Sequence, residues 1–327
     1  MALRAGAFYL VTLFAALTSC ATPQPHNLSI GALPSQTEIA PENYSTYGTL
    51  IGALGNANGI VVFTDSRASY KDAAGAPHHL PGDFQKLIRF NDTTVCAIAG
   101  LGTAKVHVAH ELDADLLGVV ESFRDGLQSY PRRSILSELG GLAAALTFYL
   151  DGIAEINAHT GFGGDVSNYH LALLLVGFDL DGIAKIGKLA LQVAPYQQPD
   201  GNTRWLTSVK VLTVENIEKR LTPALYGMWD IADHALKQPE KFSGYTILEK
   251  YRSSIQKDQG ASLSIDDLEE IGRALISLTT EKYQEQVGGA RQIAVFQSGK
   301  IVRFVQPDFP PPKKPFPINI FIGGSFS

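Results

Sequence analysis

The chain has 327 residues, 45% hydrophobic and 18% charged, with 31 glycines, 17 prolines and a net charge of −5. That length and composition suit a globular chain with one large core, in one or at most two domains. The acidic balance and the lack of a basic run interleaved with aromatics argue against nucleic acid as a partner, and the cysteines Cys20 and Cys96 are too few for a disulfide framework.

Residues 1–20, MALRAGAFYLVTLFAALTSC, carry Arg4 and then an apolar segment. A bilayer span needs about 20 apolar residues, so this shorter run has the pattern of an export signal. Leu17-Thr18-Ser19-Cys20 resembles a bacterial lipobox, which makes Cys20 the lipid attachment; the alternative is an ordinary cleaved signal with Cys20 incidental. Either way the protein is expected to be exported, to the periplasm or lipid-anchored to the envelope, with membrane contact only through a lipidated N-terminus. Residues 21–48 mix Pro, Ser, Asn and Gln without periodicity and read as a linker or propeptide.

From residue 49 the pattern turns to strands: 49–55 with 59–65, then 86–90 with 93–98. Val106, Ala109, Leu112, Leu116, Val120 and Phe123 recur at helical spacing. Ile135, Leu139, Leu142, Leu146 and Ile153 do the same beyond Pro131. Strands 169–179 and 183–193 join at Leu180-Asp181-Gly182, and 209–214 adds a third. Helices return at 223–238, 244–257 and 264–283, the last opening with Ser264 and Asp267 at capping-box spacing. A hairpin around Ser298-Gly299 spans 290–305, and 307–327 is a proline-rich tail. Segregated runs of strands and helices predict an α+β chain, two antiparallel sheets sandwiched between helix pairs, over residues 49–306.

Chemistry concentrates in four places. Gly48-Thr49 opens the first strand, Asp65 closes the second with Arg67 beyond it, Lys86 begins the third, and AIAGLG (97–102) ends the fourth. Singly, each has a plain structural explanation, since threonine suits a strand and charged residues at strand ends face water. Together, GTLIGALGNANGIVVFTDSRAS and KLIRFNDTTVCAIAGLG resemble the β-subunit family of the proteasome, the N-terminal threonine hydrolases, without a gap inside either block.

The resemblance implies a four-layer αββα sandwich and a threonine-type endopeptidase that frees Thr49 by cleavage after Gly48. A hydroxyl is a poor nucleophile until a base takes its proton. The α-amine, with a pKa near 8, can be that base only when threonine comes first. By the same resemblance Lys86 and Asp65 tune the nucleophile, the Gly100 N–H serves as oxyanion donor, and Ile98 lines a pocket for an apolar residue. Ala68 and Ser69 run beside the substrate backbone. The implied partners are a polypeptide substrate and further subunits, as a homo- or hetero-oligomer with a ring as one form; no cofactor and no metal are called for.

Some supporting positions depart from the family. Its Gly-Ser-Gly before a helix falls on Lys219-Arg220-Leu221, and its Asp and Ser before two glycines fall on Gln284 and Val287, with Glu285 adjacent. These departures favour a second reading, a catalytically inactive structural or binding subunit in the cell envelope. His107 and His110 read as a partly exposed helix face without a third metal ligand. HTGFGGD (159–165), which lacks the Lys-Ser/Thr of a phosphate loop, and the pair His78 and His79 read as loops, and Cys96 reads as an inert core thiol.

Overall fold

The computed structural model describes residues 48–71, 76–80, 82–107, 111–160, 165–238, 241 and 246–309. The export signal with Cys20, the linker up to residue 47, Ala109, His110, residues 161–164 of HTGFGGD and residues 310–327 of the proline-rich tail lie outside the described residues. In chain order the strands begin with β1 (Leu50–Asn56), β2 (Gly59–Thr64), β3 (Ser69–Lys71), β4 (Pro77–His79), β5 (Leu87–Arg89), β6 (Thr94–Gly100), β7 (Thr103–His107) and β8 (Glu111–Asp115). Helices α1 (Leu116–Leu127) and α2 (Ile135–Thr160) follow, then β9 (His170–Phe178), β10 (Ala184–Gln197), β11 (Thr203–Asn216) and β12 (Thr222–Gly227). Helices α3 (Asp230–Lys237), α4 (Thr246–Lys257) and α5 (Ile265–Lys282) lead to the hairpin β13 (Gln292–Gln297) and β14 (Lys300–Val305).

Two antiparallel five-stranded sheets dominate, in the orders β12-β1-β2-β13-β14 and β11-β10-β9-β6-β5. The central strands β1 and β2 are buried along their whole length, which explains their near-continuous apolar sequence. Alternation sends their side chains to opposite faces. Leu50, Leu54, Val61 and Phe63 pack with Leu236 of α3, Leu248 of α4, and Leu268, Ile271 and Leu275 of α5. Ile51, Ala53, Ile60 and Val62 pack with Leu87, Val95, Ala97, Leu174, Val176 and Ile186 of the second sheet. Helix α2 lies against β10 and β11, with α1 beside it. The capping box at Ser264 and Asp267 starts α5.

The structure corrects the sequence reading in two segments. The helix expected from Val106 to Phe123 begins only at Leu116; before it, β7 and β8 form a hairpin in which Val106 pairs with Leu112 and Ala104 with Ala114. Helix 223–238 is likewise split, because Thr222–Gly227 is strand β12 on the edge beside β1, and the helix starts at Asp230. Strand 209–214 is part of the longer β11, and the short pair β3–β4 was absent from the sequence pattern.

Candidate active site

Strand pairing brings the four chemical segments to one end of the sheets. Ile51 pairs with Thr64 and Leu50 with Gly227, so Thr49, Asp65 and the chain after β12 leave the first sheet together. Lys86 enters the second sheet where its carbonyl accepts from the Ile98 amide at 2.9 Å.

Thr49, Asp65 and Lys86 are all buried there. The Lys86 Nζ donates to Thr49 Oγ1 and to the Arg67 carbonyl, and stands 3.4 Å from both Asp65 carboxylate oxygens. Asp65 Oδ1 accepts from the Leu50 amide at 3.0 Å, and Oδ2 from the amides of Arg67 at 3.1 Å and Gly288 at 3.0 Å. A buried charge needs such partners. Burial pushes the Lys86 ammonium below the ordinary lysine range, against the opposing pull of Asp65. The Lys86 side chain thus ends at the Thr49 hydroxyl, and in its charged form it is a positive neighbour that eases deprotonation.

The Gly48-Thr49 junction is conformationally unusual. Gly48 has φ +85° and Thr49 φ +128°, and a β-branched residue at positive φ is strained by about 1–3 kcal/mol. A Cβ on Gly48 would approach Ser69 Oγ to 2.5 Å and the Gln286 carbonyl oxygen to 2.6 Å, so only glycine fits. The Thr49 carbonyl accepts from the Met228 amide at 2.8 Å.

Gly100 closes β6 with φ +93°. The end of that strand borders the site through Gly227, where an added Cβ would lie 2.0 Å from the Thr49 carbonyl oxygen and 3.4 Å from Ala99 Cβ. Ile98 is 5% exposed and presents little surface for a substrate. Ser69 borders Gly48, while the Ala68 carbonyl is already occupied by the Leu80 amide at 2.8 Å, as strand β4 pairs with β3.

Two supporting groups escaped the sequence reading. Gln292, fully buried at the start of β13, accepts on Oε1 from the amides of Lys86 (2.9 Å) and Leu87 (3.0 Å). Its Nε2 donates to the carbonyls of Phe84 (2.7 Å) and Asp65 (3.4 Å). One side chain thus ties the backbone of Lys86 to that of Asp65 across the two sheets. Asp83 accepts from the Ser66 hydroxyl and from the Ala290 amide at 2.9 Å, bonds that hold its carboxyl below the ordinary range. Nothing local in the sequence marks either residue.

The positions where the family pattern fails also take a different place. Arg220 pairs with Glu218 at 2.6 Å and bonds Gln259. It precedes Thr222, which pairs with Gly55, at the end of β1 remote from Thr49. The residues before the helix that do border Thr49 are Gly227 and Met228, because the expected helix start is a strand. The carbonyls of Gln284 and Val287 receive the Arg67 guanidinium, and the Val287 side chain is fully buried. Glu285 pairs with His79 at 2.7 Å. His107 lies in strand β7 rather than on a helix. Burial raises the Cys96 thiol, consistent with an inert core residue.

No protein-family model matches the chain. No curated protein matches it either. Among solved structures the chain is similar to Anbu (ancestral beta-subunit) from Yersinia bercovieri, at 15% identity and a TM-score of 0.40, covering 76% of this chain and 82% of that one.

Proposed function

We propose that the protein is a threonine-type endopeptidase on a four-layer αββα sandwich of the N-terminal nucleophile kind, exported to the cell envelope and self-processed after Gly48. The observation that carries this reading is the Lys86 ammonium donating to the Thr49 hydroxyl, with Asp65 behind it, inside a buried cluster. A lysine and an aspartate buried at a strand end have no need of a threonine hydroxyl for folding.

In processing, Thr49 Oγ1 attacks the Gly48 carbonyl carbon, the peptide C–N bond breaks as the C–O ester forms, and the hydroxyl proton passes to the departing amine. Water then hydrolyses the ester, releasing the segment that ends in Gly48 and leaving Thr49 with a free α-amine. In turnover that amine takes the hydroxyl proton while Oγ1 attacks a substrate carbonyl, and it returns the proton to the leaving amine as the substrate C–N bond breaks. Water then hydrolyses the Thr49 ester to free the acid product and the hydroxyl. Lys86 stabilises the developing alkoxide, and the Gly100 N–H receives the oxyanion. The preference for an apolar residue before the scissile bond rests on the resemblance alone, since Ile98 offers a substrate little surface.

A second reading, an inactive structural or binding subunit of an envelope assembly, is favoured by the residues around Thr49. Met228 and Val287 carry no hydroxyl or carboxylate, and Glu285 is engaged with His79.

The two readings part on hydrolysis of a fluorogenic peptide with an apolar residue before the cleaved bond. The peptidase hydrolyses it, and Lys86→Met abolishes hydrolysis while the far-ultraviolet spectrum stays unchanged. A wild-type protein that begins at Thr49 and still leaves the peptide intact contradicts the peptidase reading.

A further inference from the structure

A cleft unrelated to Thr49 lies on another part of the molecule. It is about 330 Å³ in volume and runs between the β5–β6 turn (Phe90, Asn91, Asp92, Thr93) and the connection from α1 to α2. Three arginines line it, Arg124, Arg132 and Arg133, together with the acidic residues Asp92 and Glu138.

The arginines are held in place more than they are neutralised. Arg133 rests over the Tyr130 ring with its Cζ 5.3 Å from the centroid, and Arg132 donates to the Phe178 carbonyl. Neither has a carboxylate within ion-pair distance among the described residues. Arg124 is shared with Asp125 at 2.7 Å and Glu121 at 3.6 Å, and Asp92 faces Arg89 at 2.5 Å. Glu138, in the first turn of α2, is 5% exposed and has no ion-pair partner among the described residues.

We propose that this cleft binds a phosphate-type dianion, free or carried as a phosphomonoester on a small molecule. Planar guanidinium forks match tetrahedral oxyanions. Asn91, Thr93 and Gln128 add neutral polar groups to the lining, and the volume admits a group well above the size of a bare anion.

Glu138 gives the site a pH dependence. Burial raises its carboxyl to about 7, against Arg132 and Arg133, with Asp179 adding to the rise. The charged groups facing it are Arg132 and Arg133 from the α1–α2 connection and Asp179 from the end of β9, itself paired with Lys185 at 2.6 Å. As pH falls through 7 the glutamate loses its charge and repulsion of an anion ends.

Calorimetric titration of sulfate into the full chain at constant ionic strength tests this, because sulfate remains a dianion from about pH 6 to 8 whereas a carboxyl near 7 titrates across that window. The site predicts binding several-fold tighter at pH 6 than at pH 8. The double variant Arg132→Gln/Arg133→Gln weakens it by at least about tenfold, the loss expected for charge-assisted bonds. Glu138→Gln binds at pH 8 as the wild type does at pH 6, which remains readable if the double variant fails to fold. Displacement of sulfate by glycerol 3-phosphate more readily than by inorganic phosphate assigns a phosphomonoester; the reverse assigns the free anion. Absence of millimolar sulfate binding, or binding indifferent to both the arginines and Glu138, overturns the proposal. Neither result depends on peptidase activity.

Discussion

Two buried carboxyl groups in this molecule meet opposite surroundings. Asp65 is an acceptor for the amides of Leu50, Arg67 and Gly288 and stands beside the Lys86 ammonium. Glu138, buried to a similar degree, has the Arg133 amide and distant arginines, and its carboxyl rises to about 7. Burial is common to both; Asp65 has three backbone donors and a lysine, Glu138 the Arg133 amide alone. A strand end that converges N–H groups on one carboxyl can keep a lysine beside it, whereas a helix start lining an open cleft cannot. The difference separates a carboxylate ringed by backbone donors and a lysine from a carboxyl raised to about 7 beside a cleft.

The comparison is broken most severely at Asp65. Asp65→Ala leaves the Lys86 ammonium buried without its carboxylate, and loss of one partner of a buried pair costs about 3–5 kcal/mol, to be read from the urea midpoint. Next comes Gln292→Met, which strands the Lys86 and Leu87 amides. Unmade buried hydrogen bonds cost about 1–3 kcal/mol each. If Gln292 positions Lys86, the pH profile of peptide hydrolysis also moves in this variant, and Gln292→Glu, which keeps the Oε acceptor, restores part of the rate. A change in stability with an unmoved profile would reduce Gln292 to a structural role.

Glu138→Gln sharpens the other side. A carboxyl raised in the folded state stabilises fully below its unfolded value of 4.5, and that contribution is lost as pH rises toward about 7. The variant therefore matches the wild type near pH 4 and becomes the more stable protein by pH 8, by on the order of 2 kcal/mol. One pKa unit is about 1.4 kcal/mol, and solvent at the open cleft discounts the full shift. The last variant, Gly48→Ala, is read on processing as well as on stability, because its Cβ meets Ser69 Oγ and the Gln286 carbonyl at a positive φ. It costs about 1–3 kcal/mol and slows processing at that bond, visible as retained precursor on a gel.

Much of this was legible from the residues. Hairpins β1–β2, β9–β10 and β13–β14 announce themselves through turn residues such as Asn58-Gly59, Asp181-Gly182 and Ser298-Gly299 between apolar runs. The grouping of Thr49, Asp65 and Lys86 came from the resemblance of the two blocks that carry them, since each alone reads as an ordinary strand-end residue. The β7–β8 hairpin was hidden because cross-strand pairing brings Val106 opposite Leu112, a separation of two helical steps of three residues. Strand β12 was hidden because its partner β1 lies far away in sequence. Misreading it as helix also misplaced Arg220 beside the nucleophile. Gln292 and the arginines of the cleft escaped for the same reason: their roles exist only through partners distant in the chain.

The central claim is that Thr49 becomes the first residue of the working chain. Intact mass and N-terminal sequencing of the purified wild type beside Thr49→Ala test it most directly. The account predicts a wild-type chain that begins at Thr49 and a variant that keeps its upstream residues. If both begin at Cys20 or Ala21, no free amine forms at Thr49, and the inactive-subunit reading replaces the peptidase.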